Sequence, residues 1–232
     1  VLSSHPLTEE KNVPSPRPRA LPRALAALSA AVLAVVLGWS APASADHVLP
    51  PGIPSTSTAQ SQLDSLTVRA KGPQTGYDRG LFPHWSVVDS PCTARQYVLV
   101  RDGHDVVTDS DCQPTSGRWY STFDDVWWDG DVSQISVDHM VPLSEAWKTG
   151  AADWTTERRR DFANDVDSPQ LWAVTVSSNS AKGDKDPSQW MPENTAIHCD
   201  YVKAWVNVKH RYDLTVTSAE RSAIQDTIDT AC

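Results

Sequence analysis

The feature that most constrains this chain is a pair of β-prone runs separated by two short helices, the second run leading into a helical turn. The alternation of Val132, Gln134 and Ser136 against Ser133, Ile135 and Val137 predicts a strand ending at His139. A second strand is expected at Leu171–Val176, which is apolar and β-prone. Ser177 or Ser178 then offers an N-cap for a turn carrying Asn179 and Lys182. Between the strands, Pro142 to Lys148 reads as a helix entered through proline and stopped at Gly150. Thr155 or Thr156 caps a second helix through Arg158-Arg159-Arg160 to about Asp165. The order strand, strand, helix therefore holds with two helices inserted.

Other elements follow from local pattern. Thr93 to Arg101 serves as a short helix, although Tyr97-Val98-Leu99-Val100 suits a strand equally. Gly117 to Ser121 reads as a strand entering an aspartate-rich loop, Asp124 to Asp131. Ile197, Tyr201, Trp205, Val208 and Tyr212 recur at helical spacing and mark one apolar face. Thr217-Ser218-Ala219-Glu220 has the form of a capping box opening a last helix to about Asp229. The fold class is thus α+β with a C-terminal helical pair.

The residues at the ends of the two strands carry the chemistry. Asp138 and His139 place a carboxylate beside an imidazole, a ring that titrates near neutral pH and takes a proton from water. Asn179 adds a neutral oxygen and Lys182 a cation three residues later. Hard oxygen donors suit Mg²⁺ or Mn²⁺, and together these groups describe a site for phosphodiester cleavage. Each has a plainer role open to it: Asp138 and Asn179 as turn or cap residues, Lys182 as a solvated helix charge.

Arg17, Arg19 and Arg23 precede an apolar run from Ala24 to Gly38, followed by Ala43-Ser44-Ala45. That is the form of a secretory signal peptide, and the run is shorter than the roughly 20 residues a membrane span needs. The expected organisation is a leader and signal over 1–45, cleaved after about Ala45, a flexible lead-in over 46–62 rich in Pro, Ser and Thr, and one domain over 63–232. The expected product is secreted, free of stable membrane association, and a monomer. All four cysteines, Cys92, Cys112, Cys199 and Cys232, lie in the domain and form no C-x-x-C pair. An exported chain favours two disulfides; of three pairings, Cys92–Cys112 and Cys199–Cys232 each close a local segment.

The whole chain has a formal net charge of −9. Removing 1–45 takes away Lys11, Arg17, Arg19 and Arg23 but only Glu9 and Glu10, so the acidic excess deepens. A protein that coats nucleic acid is usually basic, so the charge weighs mildly against a nucleic-acid partner; a nuclease needs only a local positive site and a metal.

The stretches D-H-M-V-P-L-S-E-A-W at 138–147, S-S-N-S-A-K-G-D-K-D-P at 177–187 and W-M-P at 190–192 resemble the HNH, or His-Me finger, nucleases. G-Y-D-R-G-L-F at 76–82, C-T-A-R at 92–95 and S-G-R-W-Y at 116–120 are similar to a secreted group sharing a domain with the C-terminal part of GmrSD-type restriction enzymes. The resemblance spans Gly76 to Cys232 and implies a ββα-metal core and a nucleic acid substrate, DNA before RNA. It implies His139 as general base, one divalent metal (Mg²⁺ or Mn²⁺) on Asp138 and Asn179, and Arg95 and Lys182 as phosphate-contacting catalytic cations. Glu145 falls inside the matched stretch as a candidate substrate-binding residue. Many HNH enzymes orient the histidine with a middle asparagine; here Gln170 and Asn164 stand near that place, and a backbone carbonyl is the third possibility. Two other classes compete: a secreted hydrolase of another polymer such as cell wall, and a catalytically silent binding module on the same scaffold.

Overall fold

The computed structural model describes residues 48–232, so the expected leader, signal and cleavage site lie outside the described residues. Within the lead-in expected over 46–62, residues 56–62 are helical instead of flexible. Helix α1 (Thr56–Ser65) starts there, capped by the Ser55 hydroxyl, and buries Ala59 and Leu63 against the C-terminal helices. Two buried side chains on one face suffice to dock it, although the composition looks like a linker.

Strands β1 (Val87–Asp89) and β2 (Cys92–Thr93) form a small hairpin leading into helix α2 (Ala94–Asp102). The helical alternative wins because Thr93 and Gln96 form a capping box at its start. A three-stranded antiparallel sheet follows, β3 (Gly103–Thr108), β4 (Pro114–Ser121) and β5 (Val126–Asp129). β5 lies inside the stretch expected to be a loop. Asp124 and Asp125 make the turn, with Asp125 at φ 56, and Tyr120 pairs with Trp127 across it.

The strand ending at His139 is β6 (Ile135–His139). Helices α3 (Leu143–Thr149) and α4 (Thr156–Ala163) separate it from β7 (Leu171–Thr175), its antiparallel partner, which runs directly into α5 (Val176–Lys182). The α5 cap is Thr175, not Ser177 or Ser178: its hydroxyl accepts from the Ser178 amide. Helix α6 (His198–Arg211) and helix α7 (Ser218–Ala231) close the chain, the latter opened by the Thr217/Glu220 capping box. Among the described residues no helix is long and apolar enough to cross a membrane.

The architecture is α+β. The larger core gathers Trp172, Phe123, Tyr201, Trp205 and Phe162 between β7 and the C-terminal helices. A smaller core packs Val98, Leu99 and Trp119 against Ile135, Val137, Leu171 and Ala173. The β6–β7 ribbon is thus buried on both faces, which accounts for its continuous apolar character. Both expected disulfides are formed, Cys92–Cys112 and Cys199–Cys232. The first ties the start of α2 to the β3–β4 turn; the second ties α6 to the end of α7.

Candidate active site

Successive side chains on a strand point to opposite faces, and β6 uses both. Ser136 and Asp138 face α5, while Ile135 and Val137 enter the smaller core and His139 lies against Trp85. Asn179 and Lys182, three apart on α5, share the face turned to this strand. Asn179 Nδ2 donates to Ser136 Oγ (2.6 Å), and Lys182 Nζ reaches Asp138. Gly183 ends the helix in a left-handed conformation (φ 56), so the chain leaves beside the strand end instead of covering it. The result is a hollow of about 210 Å³ lined by Tyr77, Arg79, Asp138, His139, Asn179 and Asp184, among others.

His139 is 4 % exposed, and its Nε2 lies 3.0 Å from the Ala163 carbonyl. A carbonyl only accepts, so Nε2 carries the proton and Nδ1 the lone pair. Nδ1 has no protein partner among the described residues. Burial pushes the ring's pKa down to about 3, with the Arg79 and Lys182 cations adding to the effect and the Ala163 bond opposing it. The imidazole is therefore neutral at pH 7, with the Nδ1 lone pair unprotonated. The orienting group is the third of the possibilities open in the sequence, a backbone carbonyl. Gln170 is wholly committed elsewhere, accepting from the Val141 amide (3.1 Å) and donating to the Val141 carbonyl (3.0 Å). Asn164 holds the neighbouring 83–86 turn.

Asp138 is 4 % exposed, and burial raises its carboxyl to about 6 against the pull of Lys182. Its Oδ2 lies 2.8 Å from Lys182 Nζ but accepts no hydrogen bond of good geometry. Asn179 is engaged through Nδ2, and its Oδ1 has no hydrogen-bond partner among the described residues. Asp138 and Asn179 thus line the same small hollow, and their oxygens are the hard donors there that suit a divalent cation, the carboxylate being already paired with the Lys182 ammonium.

Three expected site residues are placed differently. Lys182 is fully buried and contacts no solvent: it donates to Asp138 Oδ1 (3.0 Å) and to the His139 carbonyl (2.9 Å). It is an internal strut under the site, not a phosphate contact. Arg95 donates to the Ile135 carbonyl (3.2 Å), at the opposite end of β6. Four strand steps place that end about 13 Å from His139 along the ribbon, and Arg95 lines a separate surface hollow with Gln113 and Ser133. Glu145 is fully buried in an ion network, 2.7 Å from Lys71 and 3.3 Å from Lys209. Asp186 and Glu220 join it, and Glu145, Asp186 and Glu220 lie close enough to suggest a second metal seat. Lys71, Lys148 and Lys209 already neutralise those three carboxylates, so the cluster is a structural clip.

The cation that the hollow does present is Arg79, which the sequence reading passed over. It sits on a short turn held by Asp78, whose carboxylate accepts from the Gly80 amide (2.6 Å). The guanidinium is exposed, forms no ion pair among the described residues, and acts electrostatically on both Asp138 and His139. Its signal was the G-Y-D-R-G-L-F stretch, read for resemblance and not for chemistry. Of the arginine run on α4, Arg158 pairs with Asp213 (2.8 Å) and Arg159 lies over the Trp147 ring.

A family profile described as GmrSD restriction endonucleases, C-terminal domain, matches residues 94–226. The chain belongs to that family. The match includes β6, β7 and α5 with Asp138, His139, Asn179 and Lys182, and leaves Arg79 and Trp85 outside. A relative from Arthroderma benhamiae (strain ATCC MYA-4681 / CBS 112371), described as an uncharacterized secreted protein, is 51% identical over 181 residues, 78% of this chain and 88% of the relative. A retrovirus-related Pol polyprotein from type-1 retrotransposable element R1 of Bradysia coprophila is 30% identical over 139 residues, 53% of this chain and 13% of that polyprotein. No solved structure matches the chain.

Proposed function

We propose that this GmrSD_C chain is an exported, metal-dependent endonuclease that hydrolyses phosphodiester bonds, DNA in preference to RNA, with little sequence specificity. In this reading β6, β7 and α5 form a ββα-metal core. The observation that carries it is a neutral, edge-pinned imidazole sharing one hollow with the Lys182-paired Asp138 carboxylate, the Asn179 amide and the Arg79 guanidinium, which forms no ion pair among the described residues. The apolar run and A-x-A pattern before Asp46, the two disulfides and the secreted relative support export.

His139 Nδ1 takes a proton from water, which attacks phosphorus in line, while the Ala163 carbonyl stabilises the Nε2–H of the imidazolium that forms. Arg79 grips the phosphate oxygens and supplies the local positive charge that a chain of net charge −9 needs there. Lys182 keeps the Asp138 carboxylate and the His139 carbonyl in place beneath. A divalent cation on Asp138 and Asn179, Mg²⁺ or Mn²⁺, would neutralise charge developing at phosphorus and on the leaving 3′ oxygen.

The test is cleavage of plasmid DNA and of RNA by the purified chain with Mg²⁺, Mn²⁺ or EDTA, beside His139→Ala. Cutting that needs metal and disappears in the variant is expected. Cutting that survives His139→Ala, or no cutting of either polymer with any metal, refutes the reading.

A further inference from the structure

Trp85 occupies an unusual backbone conformation. Its φ is 59, in the left-handed region that bulky side chains rarely adopt and that glycine takes freely. Such strain persists only where the surroundings impose it. Here the imposing group is Asn164, which is 8 % exposed and spends its whole side chain on the turn. Its Oδ1 accepts from the Ser86 amide (2.8 Å), and its Nδ2 donates to the Pro83 carbonyl (2.8 Å) and the Arg160 carbonyl (2.7 Å). The Ser86 hydroxyl closes the same turn on the Pro83 carbonyl (3.0 Å), and the Ala94 amide holds the Ser86 carbonyl (2.9 Å).

The clamp brings the indole against His139, beside its contacts with His84 and the smaller core. The Trp85 ring lies against the His139 imidazole with centroids 5.2 Å apart and planes 30° apart. Trp85 also packs on the smaller core, and it does not line the hollow that His139 shares with Asp138 and Arg79. It therefore packs on the imidazole without entering that hollow. Asn164 directly follows Ala163, whose carbonyl holds the ring edge. One short segment at the end of α4 thus controls both the edge of His139, through Ala163, and its face, through Asn164 and the 83–86 turn.

We propose that Trp85, held strained by Asn164, is a positioning residue that fixes the rotation of the His139 imidazole and keeps Nδ1 aimed into the hollow. A single hydrogen bond to Nε2 leaves the ring free to swing about that bond; a packed face removes this freedom. The inference rests on His139 as the base proposed above. It takes the place in this chain of a side-chain hydrogen bond, since neither Asn164 nor Gln170 touches the ring.

The discriminating substitution is Trp85→Gly in the full chain, which suits the left-handed backbone while deleting the indole. Trp85→Phe keeps an aromatic face and serves as the rescue arm. Two readouts are taken: steady-state cleavage of plasmid DNA, and the ring-nitrogen NMR signature of His139 in metal-free protein, assigned with His139→Asn. In the parent chain a single neutral tautomer protonated at Nε2 is expected. Trp85→Gly should remain folded at the assay temperature, the relieved backbone offsetting part of the lost core packing, lose the single-tautomer signature, and drop in kcat by about 10- to 100-fold with KM unchanged, the range expected for a reacting group misplaced by about an ångström. Trp85→Phe should recover most of both. An unchanged His139 signature in Trp85→Gly overturns the proposal, and so does an unchanged kcat. If the parent chain cuts nothing, the nuclease reading fails, while the NMR comparison still decides whether Trp85 sets the ring.

Discussion

Replacing Lys182 by methionine separates a phosphate contact from a buried strut. The ammonium is fully buried, 2.8 Å from Asp138 Oδ2 and 2.9 Å from the His139 carbonyl. At such a separation the gross attraction is about 6 kcal/mol with an effective dielectric of about 20. Much of it is offset by the cost of taking both charges out of water, so the pair as a whole contributes far less than that. Removing one member is different, because Asp138 then stays behind as an uncompensated buried charge, at a cost of about 3–5 kcal/mol. The His139 carbonyl loses its donor in the same step. For a domain of this size that loss lowers Tm by roughly 6–20 °C. Asp138→Asn combined with Lys182→Met should regain a large part of it, since two matched neutral groups leave no stranded charge.

The assay is thermal and urea unfolding of the parent, the two single variants and the double variant, with plasmid cleavage measured below the lowest transition. A surface lysine that touches only phosphate would give the opposite pattern: stability within about 0.5 kcal/mol of the parent and a raised KM. Lys182→Met with unchanged Tm and weakened DNA binding would refute the strut and restore the role the sequence pattern suggests.

Three further outcomes are expected. Arg79→Ala should leave the melting temperature within a degree or two, because the side chain is exposed and forms no ion pair among the described residues, and should cut the cleavage rate by about 10²-fold; a stability loss with unchanged cleavage would contradict its role. Cys199→Ser with Cys232→Ser opens the loop of sequence separation 33 and should lower unfolding free energy by about 3–4 kcal/mol, measured by urea titration; a loss under 1 kcal/mol would mean that α6 and α7 dock without the staple. Burial pulls the Asp186 carboxyl up, but hydrogen bonds from Lys71 and Ser188 outweigh it and hold the pKa below the ordinary 3.8. The stabilisation from this depressed pKa is complete above pH 3.8 and is lost as pH falls through the folded value, so Asp186→Asn should flatten the acid end of the stability–pH curve. An unchanged acid slope in that variant would show that Asp186 does not carry the effect.

What was legible from the residues follows how local each determinant is. The strand ending at His139, the second strand from Leu171 and the turn bearing Asn179 and Lys182 all announce themselves by alternation and capping, and they lie where expected. Spacing also put Asn179 and Lys182 on one helix face. It did not say whether that face looked outward, because a seven-residue helix with three serines has no apolar stripe to orient it. The partner that decides, Asp138, is 44 residues away. Helix α1 and strand β5 were hidden for a related reason: each is docked by a few long-range contacts, Leu63 in one case and the Trp119–Trp128 pairing in the other, inside segments that look like linker or acidic loop.

The group that orients His139 was hidden in a deeper sense. An imidazole protonated at Nε2 needs an acceptor at a given point in space, and every residue carries one on the backbone. A motif can specify an asparagine there but not a carbonyl, since the carbonyl at Ala163 is set by where α4 ends, and the sequence around it is free to vary in side chain. What the sequence can carry is the device that fixes the helix end. Asn164 is that device: its amide bonds the Arg160 carbonyl on its own helix and the Pro83 carbonyl across the turn. An asparagine near the expected middle position is therefore present, one step removed from the ring. It follows that Asn164→Asp, which keeps the acceptor for the Ser86 amide and loses both donations, should cost activity through His139 although the residue never touches it.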